Sequence, residues 1–270
     1  MNIQGSKILI LGASGGIGSA VARQLGRQGA ALILMGRQRE PLEQLAQEIV
    51  LDGGRASAMI GDLVADASAV AHEAIRATGG IDMLINCVGM QTFGFSRDET
   101  ALDTARLFTT NVIGPIQLTN ALLPYMLAQG RGRIVHVGSI FGSIGFPCFA
   151  SYSASKFALR GFSEALRREL VGTGVSVNYI APRYTRTAFN RDAVAQMAGA
   201  LKMKQDDPQD VARQVLAAIV NDDADTYLGW PEKLFVRLNA ILPRLVDLPL
   251  MKQVALMRPF TRLSAARPLP

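Results

Sequence analysis

Short apolar runs alternate along the chain with longer segments in which apolar positions recur every third or fourth residue. Lys7–Leu11 reads as a first strand, Ala30–Met35 as a second, Arg55–Ile60 as a third, Ile81–Val88 as a fourth, Arg133–Gly138 as a fifth and Val175–Ile180 as a sixth. Ser14–Gln28, Pro41–Val50 and Ala65–Ala77 lie between the first four and read as helices. Pro41 stands in the first turn of its helix, where the missing N–H costs little. This alternation predicts an α/β fold, a doubly wound parallel sheet covered by helices on both faces. No internal repeat and no linker precede residue 230.

Composition narrows the class. In 270 residues, 49% apolar content supports a substantial core in one large domain. Cys87 and Cys148 are too few for a disulfide framework and lack metal-ligand spacing, so a reduced, cytoplasmic protein without a metal site is expected. Met1–Leu11 has no long apolar region and no small-residue cleavage site, so no export signal is expected. Two charge-free stretches, 107–130 and 134–155, fail as membrane spans. The first holds Pro115, Pro124, Asn111 and Asn120, and the second is crowded with Gly, Ser and Pro. The net charge of +6 is dispersed and forms no aromatic-interleaved basic patch, which argues against nucleic acid. A phosphate-bearing cofactor or a membrane surface is a better use for the excess.

The first strand runs into Gly12-Ala13-Ser14-Gly15-Gly16-Ile17-Gly18. Glycines there let the backbone turn tightly and approach a pyrophosphate, whose charge meets the N–H groups of the next helix. The second strand selects the cofactor. A carboxylate at its end would hold the ribose hydroxyls of NAD, but Met35-Gly36-Arg37 offers none. The planar fork of Arg37 suits a 2′-phosphate instead, so NADP(H) is expected. Arg39 either assists or is a solvated helix-start residue. Asp62, followed by Leu63, either accepts from an adenine amino group or caps the following turn. Asn86 ends the fourth strand, and Gly89 would let backbone approach the cofactor.

Tyr152 and Lys156 are four residues apart, on one face of a helix. A free tyrosine titrates near about 10 and is a poor acid or base at neutral pH. A nearby ammonium favours the phenolate and lowers that value. Ser139, at the end of the fifth strand, can hydrogen-bond a substrate carbonyl oxygen.

These residues together resemble the short-chain dehydrogenase/reductase family, over roughly residues 5–230. Gly12-x3-Gly16-x-Gly18, Asn86-x2-Gly89, Asn111, Ser139 and Tyr152-x3-Lys156 occur in the family's order, with Ser139 thirteen residues before Tyr152. The resemblance implies a Rossmann fold with an NADP-binding catalytic domain over 1–230; residues 231–270, beyond the likeness, read as a helical C-terminal extension. It implies Tyr152 as general acid/base, Lys156 holding the nicotinamide ribose and depressing the tyrosine pKa, and Ser139 polarising the carbonyl. Asn111 would anchor a water in a proton relay. A homodimer or homotetramer built on long helices around 100–128 and 151–171 is also implied. Three positions depart from the pattern. Leu11 stands where the family usually has Thr, Cys87 replaces the second Asn of Asn-Asn-Ala-Gly, and Arg183 follows Pro182 where Gly is usual. Arg183 disfavours a positive-φ backbone and puts the loop's nicotinamide contacts in question, while Thr187 is retained.

Phe141, Ile144, Phe146, Phe149 and Phe189, with Arg183 nearby, make the expected substrate pocket apolar, although part of this set could be core. A lipophilic ketone of 3-oxoacyl, sphingoid or steroid-like type suits it best. From Trp230 onward, Lys233, Arg237, Arg244, Lys252, Arg258, Arg262 and Arg267 interrupt apolar faces, and prolines are expected to break the tail into short helices. Such a tail is either a lid or oligomer contact, or an interfacial amphipathic segment giving peripheral membrane contact. The reading that joins these features is an NADPH-dependent oxidoreductase reducing a hydrophobic ketone to a secondary alcohol. A quinone or C=C reductase on the same scaffold is an alternative. So is a non-catalytic NADP-binding regulator, which would be expected to have lost Tyr152 or Lys156.

Overall fold

The computed structural model describes residues 2–63, 66–190 and 192–265. Seven parallel strands form a single sheet: β1 (Lys7–Leu11), β2 (Ala31–Gly36), β3 (Arg55–Ile60), β4 (Met83–Asn86), β5 (Gly132–Val137), β6 (Val175–Ala181) and β7 (Asp225–Tyr227). They are ordered β3-β2-β1-β4-β5-β6-β7. Register is carried by unbroken apolar pairs such as Leu9 beside Ile33 and Leu84. The order reverses between β1 and β4, and in open α/β sheets ligands bind beyond the strand C-termini at such a reversal.

The side-chain period of two divides each strand between two cores. Ile8, Ile10, Leu32 and Leu34 pack with Val21 and Leu25 of α1 (Gly16–Arg27), Leu42 and Leu45 of α2 (Arg39–Leu51) and Val215 and Ile219 further along the chain. Leu9, Leu11, Ile33 and Met35 face the other way, onto Ala71 and Ala74 of α3 (Ala67–Thr78) and Leu118 and Leu122. Each Val, Leu, Ile or Met side chain so removed from water contributes about 1.5–3 kcal/mol. Burial on both faces is why the strands read as continuous apolar runs.

The predicted helix around 100–128 is divided. α4 (Ala101–Phe108) and α5 (Gly114–Gln129) are joined by a π-type turn over Thr109–Ile113 that contains Asn111. α6 (Ala150–Glu169) is continuous and carries Tyr152 and Lys156. α7 (Asp192–Ala200) and α8 (Pro208–Asn221) precede β7. The expected start of a helix at Ala65 lies outside the described residues; Asp66 caps α3, accepting from Ala69 N–H at 2.9 Å.

The tail forms α9 (Glu232–Ile241) and α10 (Pro243–Ala265). Contrary to the expectation of short pieces, α10 runs through Pro249 and Pro259. Each interior proline costs about 3 kcal/mol in a helix. Burial of Val246 and Met257 on the inner face of α10 helps to offset that cost. The Arg262 side chain and Arg267 lie outside the described residues.

Candidate active site

The C-terminal ends of β1 to β6 open into one cleft of about 1430 Å³. A pocket for a single small molecule is typically about 300–1,000 Å³, so the cleft has room for a dinucleotide and a substrate together.

The glycine loop forms its floor. Gly12 takes φ +68°, and a Cβ there would lie 3.0 Å from the Cys87 backbone, so the turn requires glycine. Helix α1 starts without a side-chain cap and without an acidic residue in its first turn. Its leading N–H groups therefore face the cleft as an anion-binding end. Ser14, Gly15, Gly16, Ile17 and Gly18 all line the cleft. Thr187 closes over this loop, so that a Cβ on Gly16 would collide with Thr187 Cγ2.

Around the loop, the sites read from the sequence separate. Arg37, Asp62, Leu63, Gly89, Pro182 and Thr187 line the cleft. Arg37 has no carboxylate partner among the described residues, which fits it to an added phosphate. Arg39 lies outside: it is exposed in the first turn of α2 and pairs with Glu43 at 2.9 Å. Asn86 is fully buried and turns inward, its amide 3.3 Å from His136 Nδ1 and its oxygen accepting from Val88 N–H at 3.0 Å. It shapes the turn beneath the site rather than the lining. Among the described residues no His, Cys, Asp and Glu side chains cluster as metal ligands.

The reactive groups lie deeper. Ser139 Oγ accepts from Phe141 N–H at 3.1 Å, which leaves its own hydroxyl proton to be donated elsewhere. Ser139 and Tyr152 line the same cleft, with Ser139 acting to lower the Tyr152 pKa. Lys156 Nζ is 5.9 Å from the Tyr152 ring centroid, and both side chains are buried. Burial dominates both titrations. It pushes the Tyr152 phenol up to about 12, against the lowering effect of Ser139. It brings the Lys156 ammonium down to about 8, against a raising effect of Cys87. The four-residue spacing predicts that Lys156 depresses the tyrosine; in the folded chain desolvation raises it instead, and the lowering cause is Ser139. The Cys87 thiol, also on the cleft wall, is pushed up to about 12 by burial.

Asn111 is more committed than expected. Its oxygen accepts from Met90 N–H at 2.8 Å, and its amide donates to Met90 O and Ser155 Oγ, both at 2.9 Å. Ser155 Oγ in turn donates to Tyr152 O at 2.7 Å. The side chain expected to anchor a water thus ties the loop after β4 to the helix turn that carries the phenol. Sequence reasoning singles out neither Ser155 nor Tyr179. The Tyr179 hydroxyl meets both Ser139 N–H and Ser139 O, at 3.4 and 3.3 Å, and so fixes the serine backbone. Its signal is slight, one tyrosine inside an apolar strand.

The substrate side is aromatic. Phe141 stacks on Phe146 with centroids 4.4 Å apart, and Phe149 lies 5.3 Å from Phe141. Phe189 approaches Tyr152 at 6.3 Å. Ile144 and Arg183 also line the cleft, and Leu238, Val246 and Leu250 from α9 and α10 roof it. Arg183 adopts no positive φ. Its guanidinium is held by Asp206 at 2.9 and 2.6 Å, Glu232 at 2.9 Å and Trp230 O at 3.2 Å.

The profile of the family described as short chain dehydrogenase matches residues 6–198. The chain belongs to the short-chain dehydrogenase family. It is 32% identical to ketoacyl reductase HetN of Nostoc sp., over 91% of this chain and 88% of that protein. It is 34% identical to hydroxysteroid 11-beta-dehydrogenase 1-like protein A of Xenopus laevis, over 91% of this chain and 85% of that protein. Among solved structures, it is similar to a 3-oxoacyl (acyl-carrier-protein) reductase from Agrobacterium tumefaciens with NADP bound. That likeness has a TM-score of 0.77 at 26% identity and covers 84% of this chain and 94% of that one. As a short-chain dehydrogenase the protein is a single-domain Rossmann-type member of an oxidoreductase family, and family members use a nicotinamide cofactor.

Proposed function

We propose that this short-chain dehydrogenase reduces a hydrophobic ketone to a secondary alcohol with NADPH. The observation that carries the reading is the convergence of Ser139, Tyr152 and Lys156 in the lining of one cleft, beside Phe141, Phe146 and Phe149. Arg37, free of any carboxylate partner among the described residues, supports the phosphorylated cofactor. The similarity to a ketoacyl reductase and a hydroxysteroid dehydrogenase-like protein supports an apolar carbonyl substrate.

The nicotinamide, when bound, supplies the hydride that forms the new C–H bond at the carbonyl carbon. The chain supplies the rest. The Ser139 hydroxyl donates to the carbonyl oxygen and orients it. The Tyr152 phenol is protonated at neutral pH, so it can deliver its proton to that oxygen as the C=O bond becomes C–O–H. Lys156 would hold the nicotinamide ribose and stabilise the phenolate left behind. The first turn of α1 and Arg37 would hold the phosphates, and Phe141, Phe146 and Phe149 exclude water from the reacting carbon. The long helices α4, α5 and α6 would form the contacts of a homodimer or homotetramer.

NADPH oxidation measured against long-chain 3-oxoacyl thioesters, steroid ketones, quinones, enones and small polar ketones tests this reading. Turnover confined to the apolar ketones supports it. Turnover only on quinones or C=C bonds, or none at all, overturns it.

A further inference from the structure

The roof of the cleft has an outer face that the described residues leave uncovered. Nine of the 18 large apolar side chains left exposed among the described residues fall between Trp230 and Leu256. Helix α10 buries Val246 and Met257 on its inner face, whereas Ile241, Leu242, Leu248 and Met251 point outward with 52–77% of their surface in water. So much clustered exposure on neighbouring elements marks an interaction surface.

The charges around it are mostly of one sign. Lys233, Arg237, Arg244, Lys252 and Arg258 are opposed within the same stretch by Asp247 and by Glu232, which is held by Arg183. None of these cations forms an ion pair among the described residues, in contrast to the paired arginines of α1. No described helix is long and apolar enough to cross a membrane. Two side chains belong both to this face and to the cleft: Phe235 is 43% exposed and Leu245 is 55% exposed, and each lines the cavity. The exposed face therefore borders the mouth of the cleft.

We propose that the outer face of α9 and α10, centred on Ile241, Leu242, Leu248 and Met251, seats on an anionic lipid surface. Charge decides among occupants. A second copy of this chain, packed face to face, would bring the same unpaired cations together. An anionic bilayer offers apolar interior to the stripe and negative headgroups to its flanks. Delivery of an apolar ketone from that bilayer into the cleft rests on the proposed function; the docking itself does not.

Flotation of the full-length protein with vesicles tests the docking and needs neither nicotinamide nor substrate, so its outcome is independent of the reductase assay. On vesicles of phosphatidylcholine mixed with phosphatidylglycerol the protein should float, with at least about tenfold weaker binding to phosphatidylcholine alone. The double variant Arg244→Glu/Lys252→Glu should lose the preference for anionic vesicles. The triple variant Ile241→Ser/Leu248→Ser/Met251→Ser should bind anionic vesicles about tenfold less. All of these residues lie outside the cleft lining, so soluble-ketone turnover should persist. No flotation of the wild type, or flotation unchanged in both variants, overturns the proposal. So does a dimer, seen by sedimentation, that the triple variant dissociates while flotation is unchanged.

Discussion

The Arg183 guanidinium forks onto both carboxylate oxygens of Asp206, at 2.6 and 2.9 Å, with both side chains largely buried. Its remaining nitrogen reaches Glu232 and the Trp230 carbonyl, so one side chain ties the loop after β6 to the start of α9. Family resemblance places glycine at this position. The arginine converts a flexible position into a clasp that holds the roof over the cleft.

Replacing Arg183 with Gly should therefore loosen the roof and leave Asp206 and Glu232 uncompensated. A destabilisation on the order of 3 kcal/mol is expected. KM for an apolar ketone should rise more than kcat falls, because Ser139, Tyr152 and Lys156 are untouched. Denaturant titration and steady-state kinetics check both parts. Unchanged stability would contradict the clasp.

Arg37 is expected to select the cofactor. Arg37→Ala should weaken NADPH binding by about 10–100-fold, the worth of a hydrogen-bonded charge pair of about 1.5–3 kcal/mol, and leave NADH nearly unaffected. Arg39→Ala should change neither, since Arg39 is paired with Glu43 outside the cleft. Fluorescence titration with both nucleotides separates the outcomes. Equal losses for NADPH and NADH would contradict the role of Arg37.

Much of this arrangement is legible in the sequence because its signals are local. The glycine loop, the strand ending in Ser139 and the Tyr152–Lys156 spacing each lie within one or two consecutive elements. Six strands are readable from apolar runs. The seventh, Asp225–Tyr227, is not, because three residues with one acid carry no such pattern. The π-type turn at Thr109–Ile113 leaves the apolar period nearly intact and so is invisible there. The commitments of Asn111 to Met90 and of Arg183 to Asp206 and Glu232 depend on partners 21, 23 and 49 residues away. Cys148, at φ +62° between two cleft-lining phenylalanines, gives no hint of its left-handed backbone in a non-glycine residue.

Lys156 should leave a mark on stability as well as on turnover. Burial brings its pKa from 10.5 to about 8 in the folded protein. Between those values the unfolded chain binds more protons, so stability rises with pH across this window. Below about pH 8 the cost of the buried charge is fully present. Lys156→Met should remove the pH dependence and raise stability at neutral pH by a few kcal/mol, because each tenfold change in proton affinity is worth about 1.4 kcal/mol. Turnover of the wild type should fall as pH rises through about 8 and the ammonium is lost. Melting temperatures of both proteins from about pH 7 to about pH 10, a range that brackets most of this window, provide the check. Identical pH slopes would contradict the buried charge.

The proposed reduction turns on one hydroxyl. NADPH oxidation by Tyr152→Phe with an apolar ketone, measured beside NADPH affinity, tests it most directly. The phenylalanine keeps the ring among Phe141, Phe149 and Phe189 and removes only the proton donor. Turnover should fall by about 10²–10⁴-fold, the range for loss of a positioned acid, with NADPH affinity unchanged. Turnover retained at the wild-type level would contradict Tyr152 as the acid and, with it, the proposed reduction.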